Sequence, residues 1–135
     1  MIRFFDPGKG YLKIKKEIDS EIQRVLEAGD LILRSDVEKF EENLAKFVGT
    51  KYAVALNSGT DAIYLALMAV GIGLWEGVAL PSHTFKATVG AVLKVMGSPR
   101  IYDMGKEIKA EFNRIWIPVH IAGELYSLYG DGAII

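Results

Sequence analysis

The sequence predicts an α/β protein, a three-layer arrangement in which a mainly parallel sheet is flanked by helices. From Tyr52 onward, apolar runs of strand length alternate with segments of helical periodicity, the pattern of strands joined by helical crossovers. Within it, Tyr52-Ala-Val-Ala-Leu56 is a β-prone run that breaks at Asn57-Ser58-Gly59. It resumes as Thr60-Asp61-Ala62-Ile63-Tyr64-Leu65-Ala66-Leu67, a strong helix former. The chain has 135 residues, enough for one domain, 1-135, with a buried core.

Half the residues are hydrophobic and 24% are charged, an ordinary globular composition rather than a disordered one. The formal net charge of −1 gives no reason to expect nucleic acid or an anionic membrane as partner. Cysteine is absent, which excludes disulfides and thiolate chemistry. Met1-Ile2-Arg3-Phe4-Phe5-Asp6 is too short and too soon charged for a signal peptide. The longest mostly apolar stretch, Ala62 to Leu74, is far short of a membrane span. The expectation is a soluble cytoplasmic protein.

Phe4-Phe5-Asp6-Pro7-Gly8 reads as an extended arm ending in a turn. Ile14, Ile18, Ile22 and Val25 then form the apolar stripe of an amphipathic helix that Gly29 closes. After the bridge Leu31-Ile32-Leu33, Ser35-Asp36 with Glu38 has the spacing of a capping box. Val37, Phe40, Leu44 and Phe47 carry the next helix to Gly49. A buried helix from Thr60 to about Val70 ends at Gly71 and Gly73. Val78-Ala79-Leu80 is a short strand, Val89, Val92, Leu93 and Met96 mark a further helix, and Arg100–Asp103 and Ile115–His120 are two more strands.

The turn between Leu56 and Thr60 carries the chemistry. A strand feeding a small polar turn that opens a helix makes an anion site. The glycine lets the backbone come close, the first helical N–H groups lack intrahelical partners, and the dipole favours negative charge. Ser58 and Thr60 add hydroxyls, and either can cap the helix. A phosphate suits such a turn, although an ordinary capped strand-to-helix connection has the same pattern.

Asn57-Ser58-Gly59-Thr60-Asp61-Ala62 resembles the SGTDA signature of the DegT/StrS family of sugar aminotransferases, fold-type-I enzymes that use pyridoxal phosphate. Pro81-Ser82-His83-Thr84-Phe85-Lys86-Ala87-Thr88 is similar to the family's P-x-x-T-F-x-A-T segment, and Ile117-Pro118-Val119-His120-Ile121-Ala122-Gly123 to its IPVHLYG strand. The opening, from Tyr11 to Glu41, follows the family's order of segments, with Arg34 where glycine is usual. The resemblance implies part of an aminotransferase large domain. It implies that Ser58, Gly59 and Thr60 hold the cofactor's phosphate and that Phe85 stacks on the pyridine ring. It covers nearly the whole chain, yet roughly the first third of a family member. Between Asp103 and Ile115 the family has a longer insertion than Met104 to Arg114.

A transaminase also needs a lysine to carry the cofactor and shuttle a proton, and a carboxylate on the pyridine nitrogen. In the family that lysine lies beyond the length of this chain. Lys51, Lys86, Lys94, Lys106 and Lys109 match no family lysine position, and surface placement is the default for each. Asp131, in Gly130-Asp131-Gly132-Ala133, faintly resembles the family's pyridine-nitrogen aspartate, with a solvated turn as the alternative. His83 and His120 have no cysteine or acidic cluster beside them and predict no metal site. His120 is expected to be a structural histidine at the end of a buried strand.

No catalytic residue is therefore assigned within the chain, and its standing as an enzyme is open. Three readings compete. The first is a sugar-aminotransferase portion that binds pyridoxal phosphate non-covalently, if at all, and lacks turnover. The second is a non-catalytic module for a phosphorylated ligand or for oligomerisation. The third is an enzyme completed by a lysine from another chain. A phosphorylated small molecule or sugar nucleotide is the expected ligand. A homo-oligomer is expected from the apolar tail Tyr126, Leu128, Tyr129, Ile134 and Ile135.

Overall fold

The computed structural model describes residues 4–29, 31–32, 34–103, 108–109, 115–123, 125, 128–129 and 133–134. The chain divides into two compact units, Met1–Ala55 and Leu56–Ile135.

In the first unit, α1 spans Pro7–Ala28. Proline fits the first helical position because its missing N–H is one the helix could not use. Gly29 ends α1 at φ 67°, with its N–H on the Leu26 carbonyl. The long helix is knitted by charge. Lys15 pairs with Asp19, Arg24 reaches Glu21 at 2.8 Å, and Arg24 crosses to Asp36 at 3.2 Å. Asp36 lies in α2, Ser35–Val48, which Gly49 closes at φ 81°. The expected capping box does not form. Arg34, not Ser35, holds the cap position, so Val37 rather than Glu38 is the third helical residue and the box is out of register. The Arg34 carbonyl receives the N–H groups of Val37 and Glu38 instead.

Tyr52–Leu56 is not a strand, contrary to expectation. A strand exists by pairing, and within 52–55 the Ala55 N–H is taken by the Glu41 carboxylate at 2.6 Å. Tyr52 and Val54 are exposed, so no buried face holds a register there.

The second unit opens with α3, Gly59–Ala69. Strand β1, Gly77–Pro81, follows, then α4, Lys86–Lys94, and β2, Ser98–Tyr102. Short strands β3, Ile108–Lys109, and β4, Ile115–Trp116, come next. A 3₁₀ turn at Ile121–Gly123 precedes β5, Leu128–Tyr129, and β6, Ala133–Ile134. One sheet runs β2-β1-β4-β6 and a second pairs β3 with β5; every pairing is parallel. The α/β class with a parallel sheet is as the sequence predicts, α4 being the crossover between β1 and β2.

Val78 and Leu80 of β1 and Ile115 and Ile117 share one sheet face and pack with Leu67, Ala91, Val92 and Val95 from the two helices. The opposite face carries Trp116, whose ring lies 5.4 Å from that of Tyr102. Two further expectations are corrected. Of α3 only Leu67 is buried, and Leu65 and Met68 are exposed. The helix is apolar all round but covered on one side. The strand foreseen from Ile115 to His120 stops at Trp116. Ile117 still donates to the Ala79 carbonyl at 2.9 Å, but Pro118 has no N–H to continue a ladder. His120 is exposed rather than held at the end of a buried strand.

Lys106, Asp131, Leu33, Tyr126 and Ile135 lie outside the described residues, as do 104–107 and 110–114 in the stretch expected to be short.

Candidate functional site

The turn singled out in the sequence stands at a helix start. Ser58 is the N-cap of α3, in extended conformation, and its hydroxyl oxygen accepts the Asp61 N–H at 3.1 Å. The same hydroxyl donates to the Asp61 carboxylate at 3.0 Å. The Ser58 carbonyl takes the Ala62 N–H. Gly59 and Thr60 are the first two helical residues, and their N–H groups have no acceptor among the described residues. These are the orphan donors of a helix N-terminus. Both residues are exposed, and a Cβ built on Gly59 meets nothing within 4 Å.

Ser58 is less available than the sequence suggests. Its one proton already points to Asp61, so in this arrangement it shapes the turn while Gly59, Thr60 and the Thr60 hydroxyl face outward. Asp61 is also held by Lys94, whose ammonium lies 3.2 Å from the other carboxylate oxygen and 4.1 Å from the centre of the Tyr64 ring. Hydrogen bonding from Ser58, then Lys94, holds the Asp61 carboxyl below the usual carboxylate range.

Phe85 is the residue before α4, just as Ser58 is before α3. Its backbone is held on both sides. Its carbonyl accepts the Thr88 N–H at 3.0 Å, and the Thr84 and Thr88 hydroxyls bond at 2.8 Å across it. Thr88 is buried, which anchors the segment, while the Phe85 ring is 70% exposed and available for stacking.

The segments that follow α3 and α4 meet: Trp75 donates to the Met96 carbonyl at 2.9 Å, and Ser98 to that of Glu76 at 2.8 Å. A Cβ on Gly97 would stand 3.3 Å from Ile72.

His83 and His120 are exposed, and no group of acidic, histidine or cysteine side chains suited to a metal occurs among the described residues. Among those residues no helix is long and apolar enough to cross a membrane. Lys86 is exposed on the first turn of α4.

Sequence reasoning named Ser58, Gly59, Thr60 and Phe85 and missed Asp61, Lys94, Thr84 and Thr88 as supports. Asp61 stands three residues after Ser58, the spacing of a side chain that can return a bond to its cap, so that signal was present. Lys94 is 33 residues away and left no local signal.

Residues 12–127 match the model of the DegT/DnrJ/EryC1/StrS aminotransferase family. A UDP-2-acetamido-2-deoxy-3-oxo-D-glucuronate aminotransferase of Pseudomonas aeruginosa is 40% identical over 102 residues, 76% of this chain and 28% of that enzyme. A dTDP-3-amino-3,4,6-trideoxy-alpha-D-glucose transaminase of Streptomyces venezuelae is 39% identical over 98 residues, 73% of this chain and 26% of that enzyme. Among solved structures, S. venezuelae DesV in complex with a ketimine intermediate superposes with a TM-score of 0.81 at 32% identity, covering 92% of this chain and 36% of that one. The ntda protein of Bacillus subtilis with bound cofactor PMP gives 0.73 at 28% identity, covering 82% of this chain and 28% of that one. The chain thus spans little more than a quarter of the two relatives' lengths.

Proposed function

The chain belongs to the DegT/DnrJ/EryC1/StrS aminotransferase family, and from that premise we propose that it binds pyridoxal phosphate as part of a sugar-aminotransferase large domain. The observation that carries the reading is the pair of exposed residues that open α3, Gly59 and Thr60, whose amides have no acceptor among the described residues, together with the exposed ring of Phe85 just before α4. The first two amides and the Thr60 hydroxyl take the phosphate, with the α3 dipole favouring its charge. Phe85 covers one ring face, a contact worth about 1 kcal/mol beyond burial, and Thr84 and Thr88 keep its backbone in place. Both units, on this reading, are parts of one domain.

Bound there, pyridoxal phosphate supplies an electron sink for amino transfer, and by likeness to the two aminotransferases the acceptor is a keto sugar carried on a nucleotide. The 135 residues alone provide affinity rather than rate. Phosphate grip and stacking hold the ground state and the transition state alike, and such uniform binding does not accelerate chemistry. Lys94 is committed to Asp61, and Lys86 is the remaining candidate beside Phe85. The chain is further read as self-associating, since Leu12, Ile22 and Leu26 in the first unit and Leu74, Trp75 and Met96 in the second are exposed.

Titration with pyridoxal phosphate, followed by absorbance, tests the site. Saturable binding that inorganic phosphate displaces and that exceeds the affinity for pyridoxal is the expected result. Equal affinity for pyridoxal and its phosphate would remove the role given to the Ser58–Thr60 turn. Amino transfer appearing only when a second polypeptide is added would instead favour a site completed in trans.

A further inference from the structure

Asp61 poses an electrostatic problem for an anion site. It is the third residue of α3, its carboxylate is bonded to the cap of the same turn whose free amides face outward, and it carries negative charge where a phosphate would also carry it. A carboxylate in the first turn is itself favoured by the helix dipole, so it competes with any anion for the same field. The only ammonium on it among the described residues is that of Lys94, at 3.2 Å. Lys94 is seated over the Tyr64 ring at 4.1 Å, a placement that gains cation–π attraction. Tyr64 is on α3, one turn after Asp61, so the ammonium is steered along α3 toward the turn by two contacts at once.

We propose that Lys94 is a positioning residue for the phosphate site: it neutralises Asp61 and holds its carboxylate on Ser58, leaving the Gly59 and Thr60 amides to an incoming phosphate. The inference rests on the reading of that turn as the phosphate site and extends it to α4. In it, Lys94 touches neither the phosphate nor the ring. Its contribution is to remove a repulsion of roughly two- to fivefold in affinity, the size expected of a partly exposed charge at a helix end.

A lysine in the last turn of α4 also complements the C-terminal end of its own helix, so loss of function in a Lys94 variant needs a control that a merely structural role would not satisfy. The measurement is the ratio of affinities for pyridoxal phosphate and pyridoxal on the full 135-residue chain, which isolates the phosphate's share. Lys94→Met, which keeps an apolar stem, should lower the ratio about two- to fivefold, and Lys94→Arg should restore it. The double variant Lys94→Met/Asp61→Asn should also restore it, because the charge that needed neutralising is gone. A Lys94→Met ratio equal to that of a wild type that prefers the phosphate overturns the inference and leaves the site reading standing. So does a loss that Asp61→Asn fails to recover. A wild type without preference for the phosphate removes the site reading, and this inference with it.

Discussion

Gly97 and Ile72 lie so close that a Cβ at position 97 would stand 3.3 Å from the Ile72 side chain, and 3.2 Å from Val92. The contact joins the segments that follow α3 and α4. Gly97→Ala is expected to destabilise the chain by about 1–3 kcal/mol through overpacking. Unfolding in urea measures it, and an unchanged midpoint would mean that the helix ends are not held by this contact.

Ser58 and Thr60 should separate stability from affinity. Ser58→Ala removes the α3 cap and is expected to cost about 1 kcal/mol of stability. Thr60→Ala touches no partner among the described residues and should stay within about 0.5 kcal/mol, while weakening pyridoxal phosphate binding. If thermal melts rank the two variants the other way round, the division of labour in the turn is wrong.

Leu67 is the one fully covered residue of an otherwise apolar α3. Leu67→Ala should destabilise by about 2–5 kcal/mol, the cost of a core cavity, whereas Leu65→Ala, on the exposed side, should cost far less. Comparable losses from both would show that Leu65 is covered in solution, and sedimentation would then reveal a second copy.

Asp61 predicts an acid limb. Its folded carboxyl titrates below the ordinary range because Ser58 and Lys94 bond to the charged form. Its contribution is therefore complete above the ordinary carboxylate range and is lost as pH falls through the depressed folded value. Asp61→Asn should flatten the acid side of the stability–pH profile. An unchanged slope in that variant would assign acid unfolding to other carboxylates.

Borohydride reduction in the presence of pyridoxal phosphate, followed by peptide mapping, examines turnover. No pyridoxyl group on Lys86 and no amino transfer are expected from this chain. A label on Lys86, with transfer that disappears in Lys86→Ala, would show that the site is catalytically complete.

Much of the molecule is determined locally. Pro7, Gly29 and Gly49 mark helix ends because their dihedral preferences act within one or two residues, and Ser58 begins α3 because a hydroxyl reaches an amide three residues on. The alternation after residue 58 fixed the parallel class, and the SGTDA and TF segments identified the family. Tertiary structure decided the rest. Tyr52–Leu56 has the composition of a strand, but pairing needs a neighbour, and Glu41 took the Ala55 donor instead. The one-residue shift at Arg34 undid a capping box whose spacing was correct. Only packing chose which side of the uniformly apolar α3 is covered, and only the folded chain brought Lys94 to Asp61. Hydrogen bonds within a turn are set by neighbouring residues, whereas a ladder or an ion pair across 33 residues exists only after the chain has closed the loop between them.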